Sequence, residues 1–202
     1  MWERTFVGEE EVIKMNAELA VRKDFTVEDI ENLPEGVRAE LIDGQIFYFA
    51  APRTIHQKLQ AELFYILLHH VKTNEGTCSV FVAPLSVKLV NDGKNYLEPD
   101  IVVICDSDNI QEDGCYGAPD LVIEIVSKST SKRDYGIKML KYRTAGVKEY
   151  WIIDPESHTV LVHTFALDEN DEIHIYNENA VIHSKVRPEL VIKAKELFES
   201  IE

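Results

Sequence analysis

The feature that most constrains the fold is a pair of apolar segments, LVIEIVS at 121–127 and KEYWIID at 148–154. Both are rich in β-branched and aromatic residues, which predicts two strands. Between them, residues 132–145 predict a helix that ends at Gly146, a residue type common just after helices. Because a helical crossover lets two strands of one sheet run parallel, the sequence predicts an α/β fold with a mixed sheet.

The other elements surround this unit with further strands and helices. Arg38 to Ala50 predicts a β-hairpin, because Asp43-Gly44 is a preferred dipeptide of the type I′ turn. Apolar residues at helical spacing predict a long helix from Thr54 to about Val71, and Thr26 predicts the N-cap of a short helix. Further strands are predicted at 77–83, 86–90 and 100–105, a C-terminal meander at 158–166, 171–176 and 180–184, and a short helix within 188–200. The architecture expected is a mixed central sheet flanked by helices, with an additional hairpin and meander.

Length and composition predict one folded domain without a membrane segment. The 202 residues suit a single domain, taken as 24–202, preceded by a helical arm at 1–23. The chain contains no apolar run near the roughly 18 residues that a membrane span needs, and its first twenty residues are too acidic for a secretory signal. The three cysteines show no CxxC spacing and no obvious pairing, which argues against a disulfide scaffold. A cytoplasmic protein is therefore expected.

The charge distribution is uneven. The chain has a formal net charge of −15, so most of its surface would repel phosphate. Residues 128–148, here called the basic segment, hold seven basic residues and one acid, a net charge of +6. This segment is either a local phosphate-facing surface or a solvated helix face, and the sequence leaves both open.

Three acids in strand-associated positions are the candidates for chemistry: Glu40 in RAELIDG, Asp100 in LEPDIVV and Glu124 in LVIEIV. A charged group inside an apolar strand is costly to bury unless it is paired or binds a metal. An acid that opens one strand and an acid inside the next can bring two carboxylates side by side. Hard oxygen ligands of this kind suit Mg²⁺ or Mn²⁺, so Asp100 and Glu124 are the predicted metal ligands.

Each acid also has a structural interpretation. Glu124 would then form a buried salt bridge, with Arg38 or Arg143 as partner, and Asp100 would be a turn or strand-start residue. Glu40 is either a third member of the acidic cluster or a structural acid on the hairpin. The sequence alone does not choose between these alternatives.

The Pro-Asp dipeptide followed by an acid in the next strand resembles the PD-(D/E)XK nuclease superfamily. The strings RAELIDGQIF, LEPDIVV and GAPDLVIEIVSKSTSKRDYGIKMLKYRTAGVKEYWIIDP, with ELFES near the end, resemble its Uma2 group over about residues 24–200. The resemblance implies a restriction-endonuclease-like fold and a metal-dependent endonuclease that hydrolyses DNA, often as a homodimer. The stretch 117–155 is the most specific part of the match.

The chain departs from the superfamily motif at the lysine, which is expected two residues after the acid. Val126 occupies that position, so the lysine must come from elsewhere. Lys138 is the predicted substitute, because Asp134, Lys138 and Tyr142 share one face of the following helix. Lys128 is the second candidate for this role, and Lys138 otherwise is an ordinary helical lysine paired with Asp134. Lys128, Lys132 and Arg133 are the predicted DNA-binding residues.

The missing strand lysine and the charge of −15 keep a second function open. In this alternative the chain retains the nuclease fold and binds nucleic acid, or regulates a partner, without turnover. A third alternative is a structural dimer in which Glu124 only forms a salt bridge.

Overall fold

The computed structural model describes residues 24–74, 77–90, 92–128, 130–166 and 170–201, so the predicted arm at 1–23 lies outside the described residues. The chain divides into two units. Among the described residues, the small unit comprises 24–50 and 92–97, and the large unit comprises those within 51–90 and 98–201. Within the described ranges, no helix has the length and apolar character needed to cross a bilayer.

The small unit contains the predicted hairpin. Helix α1 (Val27–Glu31) begins after the N-cap Thr26, and strands β1 (Ala39–Ile42) and β2 (Gln45–Tyr48) pair antiparallel. Asp43 and Gly44 join the strands with φ of 50° and 75°, the left-handed pair that a type I′ turn requires. A hydrophobic cluster of this unit contains the buried residues Phe25, Ile30, Ala39 and Leu41.

A six-stranded mixed sheet forms the centre of the large unit, in the order β11-β10-β9-β8-β5-β3. The β8–β9 pair is parallel, as predicted, and the other pairs of this sheet are antiparallel. The strands are β3 (Ser79–Val82), β5 (Ile101–Ile104), β8 (Leu121–Ile125), β9 (Glu149–Asp154), β10 (Thr159–Thr164) and β11 (Glu172–Asn177).

Two small sheets complete the strands of the large unit. The first has the order β4-β7-β6, and the second pairs β12 with β13. The pairing of β12 with β13, rather than with β11, corrects the predicted meander, in which 180–184 would follow β11 in the same sheet. Their bounds are β4 (Val87–Lys88), β6 (Ile110–Gln111), β7 (Gly114–Tyr116), β12 (Val181–His183) and β13 (Val191–Lys193).

Helices cover both faces of the central sheet. Helix α2 (Thr54–Thr73) buries Leu59, Leu63 and Leu67 against odd-numbered residues of β8 such as Ile123, and α5 (Ala194–Glu199) shares this core. The crossover between β8 and β9 consists of α3 (Ser131–Arg133), a π-helical turn (Asp134–Lys138) and α4 (Met139–Ala145). These three consecutive segments together are here called the crossover helix. Gly146 ends it with φ of 92°, as predicted. The sequence analysis predicted one continuous helix here and did not predict the π-helical turn.

One expectation about the cysteines was wrong. Cys78 and Cys105 form a disulfide with an S–S distance of 2.07 Å. The antiparallel register pairs Ser79 with Ile104, so one further step brings residue 78 opposite residue 105. This proximity depends on the strand register and is invisible in the spacing of the cysteines. Cys115 is free and buried, and burial raises the pKa of its thiol to about 11.

Glu149, at the start of β9, is a buried carboxylate with a structural role. It accepts hydrogen bonds from the Ser184 hydroxyl at 2.6 Å and from the backbone N–H groups of Lys185 and Val186, each at 3.2 Å. Glu149 thereby anchors the loop after β12 to the central sheet. A buried carboxylate is tolerated here because several donors converge on it.

Replacing Glu149 by leucine is expected to lower the free energy of unfolding by about 3 kcal/mol, because three donors lose their acceptor at about 1–3 kcal/mol each and part of that loss is regained by hydration. Denaturant titration measures the change. Glu189→Leu, at an exposed position in the same loop, is the matched control and is expected to change stability by less than about 0.5 kcal/mol. Equal stabilities of the two variants would contradict the anchoring role.

Candidate active site

Asp100 and Glu124 lie on neighbouring strands at the same end of the sheet. The antiparallel register pairs Ile101 with Ile123, and one further residue places Asp100 opposite Glu124. The backbone N–H of Ile125 donates to Asp100 Oδ2 at 2.6 Å, which holds the first carboxylate beside the strand that carries the second.

Two side chains of helix α2 also bind Asp100. His56 Nε2 lies 3.1 Å from Asp100 Oδ2, and Gln60 Nε2 donates to the Asp100 carbonyl oxygen at 2.9 Å. Burial lowers the pKa of His56, but the hydrogen bond to Asp100 and the charges of Asp100 and Asp134 outweigh burial, so the pKa is raised above its usual value. The immediate surroundings of Asp100 therefore include a hydrogen-bond donor that favours the ionised carboxylate.

Glu124 is the last residue but one of the apolar strand β8 and is 5% exposed. Lys138 Nζ lies 2.5 Å from Glu124 Oε1, and the Tyr142 hydroxyl donates to the same oxygen at 2.8 Å. Both partners belong to the crossover helix, which covers the face of the sheet opposite α2. The lone acid of the strand is thus matched by a cation and a hydroxyl supplied by the next element of the chain.

Lys138 is itself buried and lies between two acids. Its Nζ is 3.6 Å from Asp134 Oδ1, and the Lys138 and Asp134 side chains are each 3% exposed. These two residues are the first and last of the π-helical turn, a feature that often marks functional sites. The Tyr150 hydroxyl donates to the Asp134 carbonyl oxygen at 3.0 Å, which ties this turn to β9.

Tyr150 and Tyr142 form an aromatic wall behind the charged cluster. Their ring centroids are 4.9 Å apart, and both side chains are fully buried. Burial, followed by the charges of Glu124 and Asp134, raises the pKa of Tyr150 well above its usual value. Tyr150 is therefore a neutral hydrogen-bond donor at this site, and the wall limits water access from the core side.

Comparisons with known proteins identify the family of the chain. Residues 27–194 match the family described as "Uma2: Putative restriction endonuclease". The chain belongs to the Uma2 family. The resemblance noted in the sequence is therefore confirmed.

A solved structure confirms the restriction-endonuclease-like fold of this Uma2 chain. The match is to a protein of Anabaena variabilis, titled a "putative nuclease belonging to DUF820", with a TM-score of 0.72 and 26% sequence identity. It covers 88% of this chain and 99% of the other. An uncharacterized protein of Synechocystis is 30% identical over 103 residues, which cover 51% of this chain. The Uma2 chain spans about half the length of that curated relative, since the match covers 53% of it.

Among the predicted site residues, the structure pairs Lys138 with Glu124, and Asp100 is hydrogen-bonded to Ile125, the residue after Glu124 in β8. Lys128, the second candidate for the motif lysine, instead lies at the surface, where its 83% exposed side chain is 3.5 Å from Glu156. Arg143, an alternative partner for Glu124, pairs with Asp171 instead. Lys138 is therefore the lysine that contacts the strand acid.

The basic segment is largely neutralised by neighbouring acids. Carboxylates contact several of its cations, among them Lys128, Lys138, Arg143 and Lys148. Lys132 is exposed and Arg133 is half-buried at the start of the crossover helix. A role of Lys128, Lys132 and Arg133 in DNA binding stays a prediction.

Glu40 lies in β1 of the small unit, where it is 1% exposed and pairs across the hairpin with Phe47. Its predicted role as a third acid of the site stays a prediction. Among the described residues, no three or more histidine, cysteine, aspartate or glutamate side chains form a group that could hold a metal ion. The donor set that can be tested is therefore the Asp100–Glu124 pair.

This pair fits a magnesium ion chemically. Mg²⁺ in phosphoryl-transfer sites is commonly bound by one or two carboxylates, and water and substrate phosphate complete its octahedron. Asp100 lies at a strand end with a 16% exposed side chain, so one carboxylate is accessible from solvent. Its two hydrogen bonds both involve Oδ2, which leaves Oδ1 as the oxygen expected to bind the metal.

His56 and Gln60 are the site residues that sequence analysis missed. The seven histidines of the chain show no metal-ligand spacing, so His56 has no local signal. A weak signal does exist, because His56 and Gln60 are four residues apart on α2 and flank Leu59, which is fully buried. Both side chains therefore border the helix face that packs on the sheet.

Proposed function

We propose that the protein is a Mg²⁺- or Mn²⁺-dependent endonuclease that hydrolyses DNA phosphodiester bonds. The observation that carries the proposal is the buried Lys138–Glu124 pair, with Lys138 Nζ 2.5 Å from Glu124 Oε1, in a strand to which the Asp100 carboxylate is hydrogen-bonded. The Uma2 family and the titled nuclease of Anabaena variabilis support this assignment. The homodimer and the cytoplasmic location expected from the sequence belong to the same proposal.

Asp100 and Glu124 are the residues that would hold the metal. The bound metal supplies a water of lowered pKa and stabilises negative charge on the scissile phosphate. Asp100 is positioned for this role by Ile125 N–H and His56, and Glu124 by the Tyr142 hydroxyl. These hydrogen bonds fix the carboxylates before substrate arrives, so little reorganisation is needed during the reaction.

Lys138 takes the place of the lysine that the strand lacks. Its ammonium group lies beside Glu124 although it comes from the crossover helix, so Lys138 can supply the positive charge that the motif lysine supplies from the strand. A buried ammonium group beside the reacting phosphate offsets the negative charge that develops during hydrolysis. Lys128, Lys132 and Arg133 lie nearby in the chain and are proposed to bind the phosphate backbone.

The alternative function is nucleic-acid binding or regulation without turnover. It is favoured by one observation, that Glu124 is 5% exposed and already hydrogen-bonded to Lys138 and Tyr142. In this case Glu124 and Lys138 serve the stability of the fold. Binding of Mn²⁺ or DNA without strand cleavage would distinguish this alternative.

The proposal is tested with supercoiled, linear and single-stranded DNA and with RNA, each in Mg²⁺, Mn²⁺ or EDTA. We expect internal cleavage of circular DNA with either metal and no cleavage in EDTA, because the metal supplies the activated water. Glu124→Gln purified in parallel controls for contaminating nucleases and is expected to be inactive. Absence of cleavage of all four substrates, or equal cleavage by Glu124→Gln, would refute the endonuclease assignment.

A further inference from the structure

The start of helix α2 carries two polar side chains directed at one residue of the site. His56 and Gln60 are one helical turn apart, and both contact Asp100, the first at its carboxylate and the second at its backbone carbonyl. The fully buried Leu59 lies between them and packs into the core. The helix is therefore anchored where it presents these two groups.

Asp100 needs such support because it lies just before β5 begins at Ile101. The backbone of Asp100 is held by Ala83 N–H, which donates to its carbonyl oxygen at 3.0 Å, and by Gln60 on the same oxygen. Its side chain is held by Ile125 N–H and His56, both at Oδ2. An ionised carboxylate only accepts hydrogen bonds, so the proton of this contact lies on His56 Nε2.

Core packing alone does not explain a histidine at this position. The His56 side chain is 18% exposed. Its Nδ1 is buried and has no hydrogen-bond partner among the described residues. An apolar side chain of similar size would fill the same space without a buried nitrogen. The feature that only a donor provides is the bond to Asp100.

We propose that His56, assisted by Gln60, is a positioning residue that holds the Asp100 carboxylate so that Oδ1 faces the metal. This inference rests on the proposed function, since it concerns the same site. Outer-shell partners of metal ligands typically change metal affinity by about 10–100-fold when they are removed. His56 acts through Asp100 and contacts neither metal nor substrate.

The experiment compares His56→Leu with His56→Gln, which keeps an N–H donor at a similar reach. Mn²⁺ affinity is measured by electron paramagnetic resonance, cleavage rate under single-turnover conditions, and folding by Tm. We expect His56→Leu to weaken Mn²⁺ binding about 10–100-fold at a nearly unchanged Tm, and His56→Gln to restore most of the affinity. Gln57→Leu, at an exposed neighbouring position, is the control expected to match the wild type.

Each outcome bears on the proposal. Wild-type Mn²⁺ affinity in His56→Leu overturns the positioning role, whereas the endonuclease assignment would stand if the wild type still cleaves DNA. A wild-type protein that binds no Mn²⁺ overturns both. If His56→Leu fails to fold, Gln60→Leu and His56→Gln are compared instead. Weaker Mn²⁺ binding by Gln60→Leu than by His56→Gln supports the proposal. Mn²⁺ affinities equal to that of the wild type in both variants overturn it.

Discussion

Asp100→Asn is expected to reduce metal-dependent DNA cleavage by about three powers of ten and to weaken Mn²⁺ binding in parallel. The amide keeps the shape of the side chain and can still accept the hydrogen bond from Ile125 N–H. It removes the negative charge that the metal requires, and metal stabilisation of the reacting phosphate contributes several kcal/mol to such reactions. Cleavage rates under single-turnover conditions and Mn²⁺ titration measure the two effects.

The control for this variant is Asp108→Asn, because Asp108 lies on the same stretch of chain after β5 and is exposed. This variant is expected to retain wild-type cleavage. Near-ultraviolet circular dichroism of Asp100→Asn should match that of the wild type, since its backbone contacts with Ala83 and Gln60 remain. Retention of full cleavage and Mn²⁺ binding by Asp100→Asn would show that the active site lies elsewhere.

Lys138→Met is expected to have two effects of comparable importance. It removes the cation that faces Glu124 and Asp134, both buried, and a buried charge that loses its partner destabilises a protein by about 3–5 kcal/mol. It should also reduce DNA cleavage by about 100-fold or more, because it removes the ammonium group proposed to offset the developing negative charge of the phosphate. Denaturant unfolding and cleavage rates are measured on the same preparation.

A double-mutant cycle with Glu124→Gln separates the two roles of Lys138. The Lys138→Met, Glu124→Gln double variant has neither charge of the closest pair, so it should recover about 1–3 kcal/mol relative to the sum of the single changes. Its cleavage should stay absent. Lys195→Met, at an exposed lysine of α5, is expected to change stability by less than about 0.5 kcal/mol. Strict additivity of the two changes in the free energy of unfolding would contradict an energetic coupling between Lys138 and Glu124.

The parts of the fold that sequence analysis predicted depend on local patterns. The six residues LVIEIV have a single acid among mainly β-branched residues, so this segment alone predicts both the strand and the unusual position of Glu124. The hairpin at Asp43-Gly44 is equally local, because the turn conformation follows from those two residues. The lysine of the crossover helix was predictable because Asp134, Lys138 and Tyr142 share a helical face that follows the strand directly.

The parts that sequence analysis missed depend on how distant segments pair. His56 reaches Asp100 across 44 positions of the chain, and Cys78 meets Cys105 only through the β3–β5 register. Neither contact alters the spacing of apolar residues. The contact of Arg143, an alternative partner of Glu124, is also non-local, because Asp171 from a later loop binds this arginine.

The parallel pairing of β8 and β9 has a consequence for how this active site is encoded. A parallel pair obliges the chain to return across one face of the sheet, and in this protein the crossover helix on that path contacts Glu124. Because the lysine lies on that return path, the strand position two residues after the acid does not have to carry a lysine. Val126 occupies this position as an apolar side chain that is 5% exposed. The proposed catalytic cation and the packing of the strand can therefore vary independently, and sequence patterns read along one strand will overlook chains that use this arrangement.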